Sequence, residues 1–117
     1  MKLKKVTPPR KFIVGSNKIE ISHKLNLFLK DNEMITFITK DKNEYDVVKK
    51  DWGYYATPSI NRRLRKNNFQ TALVINDKKH IFIMLVEKSK KRQFIKYLKS
   101  EKNKVLLWLD KSYKIKN

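Results

Sequence analysis

An alternation of side-chain polarity begins at Ile19 and constrains the fold more than any other feature of this chain. The odd positions carry mainly apolar side chains: Ile19, Ile21, His23, Leu25, Leu27 and Leu29. The even positions are mainly polar: Glu20, Ser22, Lys24, Asn26, Phe28 and Lys30. A period of two residues predicts a β-strand with one buried face. Further strands are predicted at Met34–Lys40 and about Glu44–Lys49, and the short connections favour an antiparallel meander.

Three later segments are apolar on both phases of a strand. TALVI (71–75) and IFIMLV (81–86) are separated by Asn76–His80, a connection of hairpin length. Side chains that are apolar on both faces predict central strands covered on each side. VLLWL (105–109) is expected to close the domain as another buried strand.

Two helices are expected beside these strands. Phe94, Ile95 and Leu98 recur at helical spacing and predict a long helix over about 89–102. A short helix is expected over about 58–66, with Thr57 as the N-cap and Pro58 in the first turn. The predicted fold class is therefore α+β: a mainly antiparallel sheet of about six strands with these two helices.

Length and composition limit the class of protein. The 117 residues suit one α+β domain over 18–110, preceded by a basic arm (1–17) and followed by a basic tail (111–117). The absence of cysteine excludes disulfides and thiolate metal sites. The apolar runs are too short to cross a bilayer, and no apolar segment follows the basic start MKLKKVTPPR. We expect a cytoplasmic protein.

The net charge of +18 is the outlying property of the composition, with 29 Lys and Arg against 11 Asp and Glu. An AT-rich genome would raise the lysine content, but it would also favour Asp and Glu, which are scarce here. Such a charge attracts polyanions, including nucleic acids, anionic membranes and acidic proteins. It carries no information about the fold.

The segment DWGYYATPSINRRLRKNN (51–68) combines aromatic and basic residues. Its candidate binding residues are Trp52, Tyr54, Tyr55, Arg62, Arg63, Arg65 and Lys66. Aromatic faces stack on nucleobases, and guanidinium groups match phosphate geometry. The alternative is that the aromatics belong to the core, which for Trp52 is the default expectation, and that the cations form a solvated face.

A second basic cluster, Lys90, Lys91 and Arg92, lies in the first turn of the predicted long helix. The helix dipole disfavours cations at this end by about 0.3–1 kcal/mol each. A sequence selected only for stability would place acids there. The cluster is therefore either a binding surface for an anionic partner or a lysine-rich solvent face.

Catalytic and metal-binding patterns are weak. Gly15 and Gly53 are the only glycines, which excludes a glycine-rich phosphate loop. His23 and His80 lack the spacing of a metal site. Glu44 and Asp46 have no histidine or nucleophile placed beside them by the sequence. We therefore expect no cofactor and no metal, and enzymatic activity is the minority interpretation.

The run EYDVVKKDWGYYATPSINRRL (44–64), followed by TALVIND and IFIMLVEK, resembles a block found in small uncharacterised bacterial α+β proteins. The shared pattern is of the type EYDVxKKxWGxYATPSxNxRL, and the likeness covers roughly residues 18–109. The resemblance implies a recurring structural unit. It carries no assigned function and therefore no catalytic residues.

Three functional hypotheses follow from these patterns. The first is a non-enzymatic basic module that binds nucleic acid, RNA more than DNA, through the two cationic clusters and the aromatics, with the arm extending the surface. The second is a small-molecule domain for a phosphorylated or nucleotide-linked ligand. The third is a subunit that docks on an acidic protein partner.

Overall fold

The computed structural model describes residues 1–111, and in that range it contains eight strands and one helix longer than four residues. The strands are β1 (Lys2–Val14), β2 (Ile19–Phe28), β3 (Met34–Ile38), β4 (Glu44–Lys50), β5 (Gly53–Ala56), β6 (Phe69–Ile75), β7 (Ile81–Glu87) and β8 (Lys104–Trp108). The helices are α1 (Arg63–Lys66) and α2 (Lys91–Ser100), the latter preceded by a 3₁₀ turn at Lys88–Lys90.

The predicted fold class is wrong in its architecture. Instead of about six strands in a sheet with a long and a short helix, the described residues form three small sheets, with strand orders β1–β2, β3–β4–β5 and β7–β6–β8. The two strands that the sequence did not predict are β1 and β5. Prolines and closely spaced lysines interrupt any alternation in β1, and β5 has only four residues and begins with a glycine.

Strand β1 occupies most of the segment that was expected to be a basic arm. It pairs antiparallel with β2 from Lys2↔Phe28 to Val14↔Ile19, with an irregularity between Lys5 and Arg10. The meander prediction is therefore wrong for its first strand, because β2 pairs with β1 and not with β3, whereas β3 and β4 are neighbours in one sheet. A tight turn explains the pairing: the Lys18 N–H donates to the Gly15 carbonyl oxygen at 3.2 Å, and the φ of Gly15 is 78°.

The chain divides into two compact units. Unit 1 comprises 1–36 and 46–57, and unit 2 comprises 37–45 and 58–117. A core cluster of unit 2 is formed by Ala72, Val74 and Leu98, with Met84, Phe94, Val105 and Trp108 packed against it. The predicted tail at 111–117 lies, except for Lys111, outside the described residues.

Strand β7 was expected to be central and covered on both faces, and this prediction is wrong. Only β6 has neighbours on both sides in the order β7–β6–β8. Ala72 pairs with Met84 on the face that packs against α2, whereas Leu73 pairs with Ile83 on the opposite face. Ile83 is 66% exposed. Apolar side chains on both faces of a strand therefore do not guarantee that both faces are buried.

Helix α2 is shorter than the predicted 89–102, and its end is sharply defined. The Asn103 N–H donates to the Leu98 carbonyl oxygen at 2.8 Å, and the Lys102 N–H donates to the Lys99 carbonyl oxygen at 3.3 Å. Lys102 has a φ of 57°. These bonds and the left-handed residue form a Schellman motif, in which glycine is the usual residue at this position.

Helix α1 has four residues instead of the predicted nine at about 58–66. The Thr57 N–H donates to the Asp46 carbonyl oxygen at 3.1 Å, which prolongs the strand pairing to the residue before the proline. An extended residue before proline is compatible with an N-cap, but residues 58–62 form a turn instead of a helix. The Arg62 and Leu64 N–H groups both donate to the Ser59 carbonyl oxygen, at 3.3 and 3.0 Å. The helix begins at Arg63, whose N–H donates to the Ser59 hydroxyl at 3.2 Å.

Candidate nucleic-acid-binding surfaces

The three candidate aromatic residues lie at the protein surface, Trp52 directly before β5 and Tyr54 and Tyr55 within it. Trp52 is 68% exposed, Tyr54 60% and Tyr55 45%. The expectation that Trp52 belongs to the core is therefore wrong. Gly53 has a φ of 144°, a conformation that L-residues rarely adopt, and it lets the chain enter β5 directly after the indole.

Two of the three aromatics form a stacked pair. The ring centroids of Trp52 and Tyr55 are 6.0 Å apart, and the ring planes differ by 19°. Tyr54 lies on the opposite face of β5, because successive strand residues alternate. The register between β4 and β5 is consistent with this alternation, because Tyr55 pairs with Val48 and Tyr54 pairs with the next residue, Lys49. The structure thus brings Trp52 and Tyr55 together and separates Tyr54 from them.

Two lysines of β4 lie beside these aromatics and were not singled out from the sequence. Lys49 Nζ lies 3.0 Å from Asp31 Oδ1 and also donates to the Lys50 carbonyl oxygen. Lys50 Nζ donates to Asn32 Oδ1 at 2.6 Å. Their position opposite β5 is visible only once β5 is recognised as a strand.

The basic side chains in and directly before α1 are of two kinds: most are exposed, and one forms an ion pair with a buried carboxylate. Leu64 is 1% exposed and anchors the helix in unit 2, while Arg62, Arg63 and Lys66 are exposed. Arg65 differs from them, because its Nε lies 3.6 Å from Oδ2 of the buried Asp110. Gln70 Nε2 also donates to this oxygen, at 3.4 Å. Arg65 therefore neutralises a buried carboxylate of its own unit.

The cations at the start of α2 divide in the same way. Lys91 Nζ lies 4.7 Å from the centroid of the Trp108 ring, a cation–π contact inside unit 2. Lys90 occupies the N-cap position without a side-chain cap, and the first turn of α2 contains no acid. Lys90 and Arg92 are exposed. These two side chains remain unfavourably placed for the helix dipole and accessible to an anion.

The aromatic and cationic residues that the sequence suggested as one surface belong to different compact units. The aromatics lie in unit 1, whereas both cationic clusters lie in unit 2. Unit 2 also contains nineteen of the 29 Lys and Arg residues, against six of the 11 Asp and Glu. Stacking groups and most of the positive charge are therefore contributed by separate parts of the chain.

Two side chains outside these clusters, Glu33 and Tyr45, have shifted pKa values. The pKa of Glu33 is lowered from its ordinary value, chiefly because the Lys30 backbone N–H donates to its Oε1 at 2.7 Å. Burial raises the pKa of Tyr45. Within residues 1–111 no group of three or more metal-ligating side chains occurs. Over the same range, no helix has the length and apolar character needed to cross a membrane.

Comparison with protein-family models, with curated proteins and with solved structures finds no significant match to this chain. The likeness of the 44–64 block to small bacterial proteins therefore stays a prediction.

Proposed function

We propose that this protein is a non-enzymatic module that binds single-stranded nucleic acid, with RNA as the preferred ligand. The observation that carries the proposal is the exposed Trp52–Tyr55 stack in a chain of net charge +18. Base stacking on an aromatic side chain contributes about 1–3 kcal/mol per base, and it tolerates any sequence because every base has a π-face.

Phosphate contacts come from exposed basic side chains at α1 and at the start of α2. Arg62, Lys66, Lys90 and Arg92 are exposed and suit this role. Arg65 and Lys91 contribute less, because Asp110 and the Trp108 ring already engage them. Each phosphate contact releases counterions, so the resulting affinity depends on salt concentration.

The test is fluorescence anisotropy of a labelled oligouridylate, titrated with the protein from low to physiological salt. We expect the logarithm of the affinity to fall linearly with the logarithm of the salt concentration, with measurable binding left at physiological salt, where base stacking still contributes. Binding that vanishes at physiological salt would show only generic attraction of a polyanion. An oligodeoxythymidylate of equal length tests the preference for RNA.

A matched pair of double variants tests the phosphate contacts. Arg62→Ala with Lys66→Ala should reduce the slope of the salt dependence by about 1.4, since each single-strand phosphate contact contributes about 0.7. Lys24→Ala with Lys40→Ala removes the same charge from exposed positions outside the clusters and should leave the slope near that of the parent. Equal slopes for both variants would contradict the assignment of phosphate contacts to Arg62 and Lys66.

A further inference from the structure

We propose that unit 2 contains a second binding site, a pocket for a compact ligand that carries a di- or triphosphate group. The pocket is a cavity of about 570 Å³ between the β6–β7 turn and the end of α2. Its lining residues are Ile75, Asn76, Asp77, Lys79, Lys99, Lys102, Asn103 and Lys104. This proposal does not depend on nucleic-acid binding, and it uses none of the residues assigned above to base stacking or phosphate contact.

The size and charge of the cavity define the class of ligand. Small-molecule sites typically have volumes of about 300–1,000 Å³, so this cavity suits a compact ligand better than a folded polymer. Four lysines and one aspartate line it. A monovalent anion would leave most of this positive charge uncompensated, whereas an oligophosphate offers several charged acceptor oxygens to the ammonium groups. Ile75 adds an apolar surface.

Both walls of the cavity are fixed by hydrogen bonds. In the β6–β7 turn, Asn76 Oδ1 accepts from the Lys78 N–H at 3.0 Å and from the His80 N–H at 2.8 Å. On the other wall, the Asn103 N–H donates to the Leu98 carbonyl oxygen and terminates α2. The loop backbone is therefore ordered before a ligand arrives, which reduces the entropic cost of binding.

Two of the lining lysines occupy positions that would favour another residue type. Lys79 has a φ of 65° and Lys102 a φ of 57°, the left-handed region in which glycine and asparagine are less strained. Lys18 and Lys42 have the same conformation, with φ of 51° and 68°, but they do not line the cavity. These four residues supply a closely matched experiment.

The experiment compares Lys79→Asn with Lys102→Asn against Lys18→Asn with Lys42→Asn. Both double variants make the same substitution in the same backbone conformation and lose the same charge, and asparagine is compatible with each turn. The probe is inorganic tripolyphosphate, titrated by calorimetry at physiological salt, where attraction beyond about 8 Å is screened. ATP in a parallel titration shows whether a nucleoside adds affinity.

The parent protein and the Lys18/Lys42 variant should bind one equivalent of tripolyphosphate with equal affinity, and the Lys79/Lys102 variant should bind it about tenfold or more weakly. Equal affinities for the two variants, or no stoichiometric binding by the parent protein, would overturn the pocket assignment. The oligouridylate affinities of the two variants should stay equal. A loss confined to the Lys79/Lys102 variant would overturn the separation of the two sites.

Discussion

Replacement of Trp52 by alanine is expected to weaken the binding of single-stranded RNA by about 5- to 150-fold, which corresponds to the 1–3 kcal/mol of one stacked base. The indole is 68% exposed and stacks at 6.0 Å on Tyr55, so its outer face is available to a base. The same exposure means that the substitution removes little packing, because surface substitutions usually change stability by less than about 0.5 kcal/mol. Anisotropy at physiological salt measures the effect.

Tyr54→Ala is the matched control for Trp52→Ala. Tyr54 is 60% exposed and lies in β5 with Tyr55, but on the opposite face of that strand. We expect its removal to leave the affinity near that of the parent protein. Equal losses in Trp52→Ala and Tyr54→Ala would contradict a role specific to the stacked pair, and two unchanged affinities would exclude this surface from binding.

Replacement of Arg65 by alanine is expected to destabilise the fold by about 1–3 kcal/mol, because it removes the cation beside a buried carboxylate. Among residues 1–111, Asp110 would keep only the long 3.4 Å hydrogen bond from Gln70. Its Oδ1 is buried and has no hydrogen-bond partner within the described part of the chain. Urea unfolding of the variant and its parent measures the change in the free energy of unfolding.

Arg62→Ala provides the comparison for Arg65→Ala on the same short segment. Arg62 is exposed and should change the stability by less than about 0.5 kcal/mol. Asp110→Asn, added to Arg65→Ala, removes the buried charge and should restore part of the lost stability. If the two arginine variants were equally stable, the ion pair with Asp110 would have no structural role.

The sequence predicted the strands with a clear pattern and missed those without one. The alternation from Ile19 predicted β2, and the apolar runs predicted β6, β7 and β8 close to their observed bounds. Strand β1 lacks a clean pattern because lysines and Pro8-Pro9 interrupt it. Its pairing with β2 depends on the turn at Gly15 and Lys18, which a period of two cannot reveal.

Local patterns predicted the β6–β7 hairpin but not the partner of β2. Short connections favoured pairing of β2 with β3, but the two belong to different sheets. Similarly, the apolar character of β7 does not show that it lies at an edge. Both outcomes depend on contacts between residues that are distant in sequence.

The sequence predicted which types of residue make up the candidate site, but not their exposure or their contacts. The pattern identified Trp52 as an aromatic beside basic residues, but not its exposure or its partner Tyr55. Arg65 resembled its neighbours in the sequence, because Asp110 lies 45 residues further along the chain. Lys102 looked like one lysine among many, yet it ends α2 and lines the cavity.

The most direct test of base stacking is the intrinsic fluorescence of Trp52 during RNA binding. The chain has two tryptophans, and Trp108→Phe leaves Trp52 as the only one while preserving an aromatic ring beside Phe94. Titration of this variant with oligouridylate at physiological salt should quench its fluorescence to saturation, in parallel with the anisotropy of the labelled RNA. Unchanged tryptophan fluorescence while the anisotropy reports binding would contradict stacking on Trp52 and leave phosphate contacts as the only interaction.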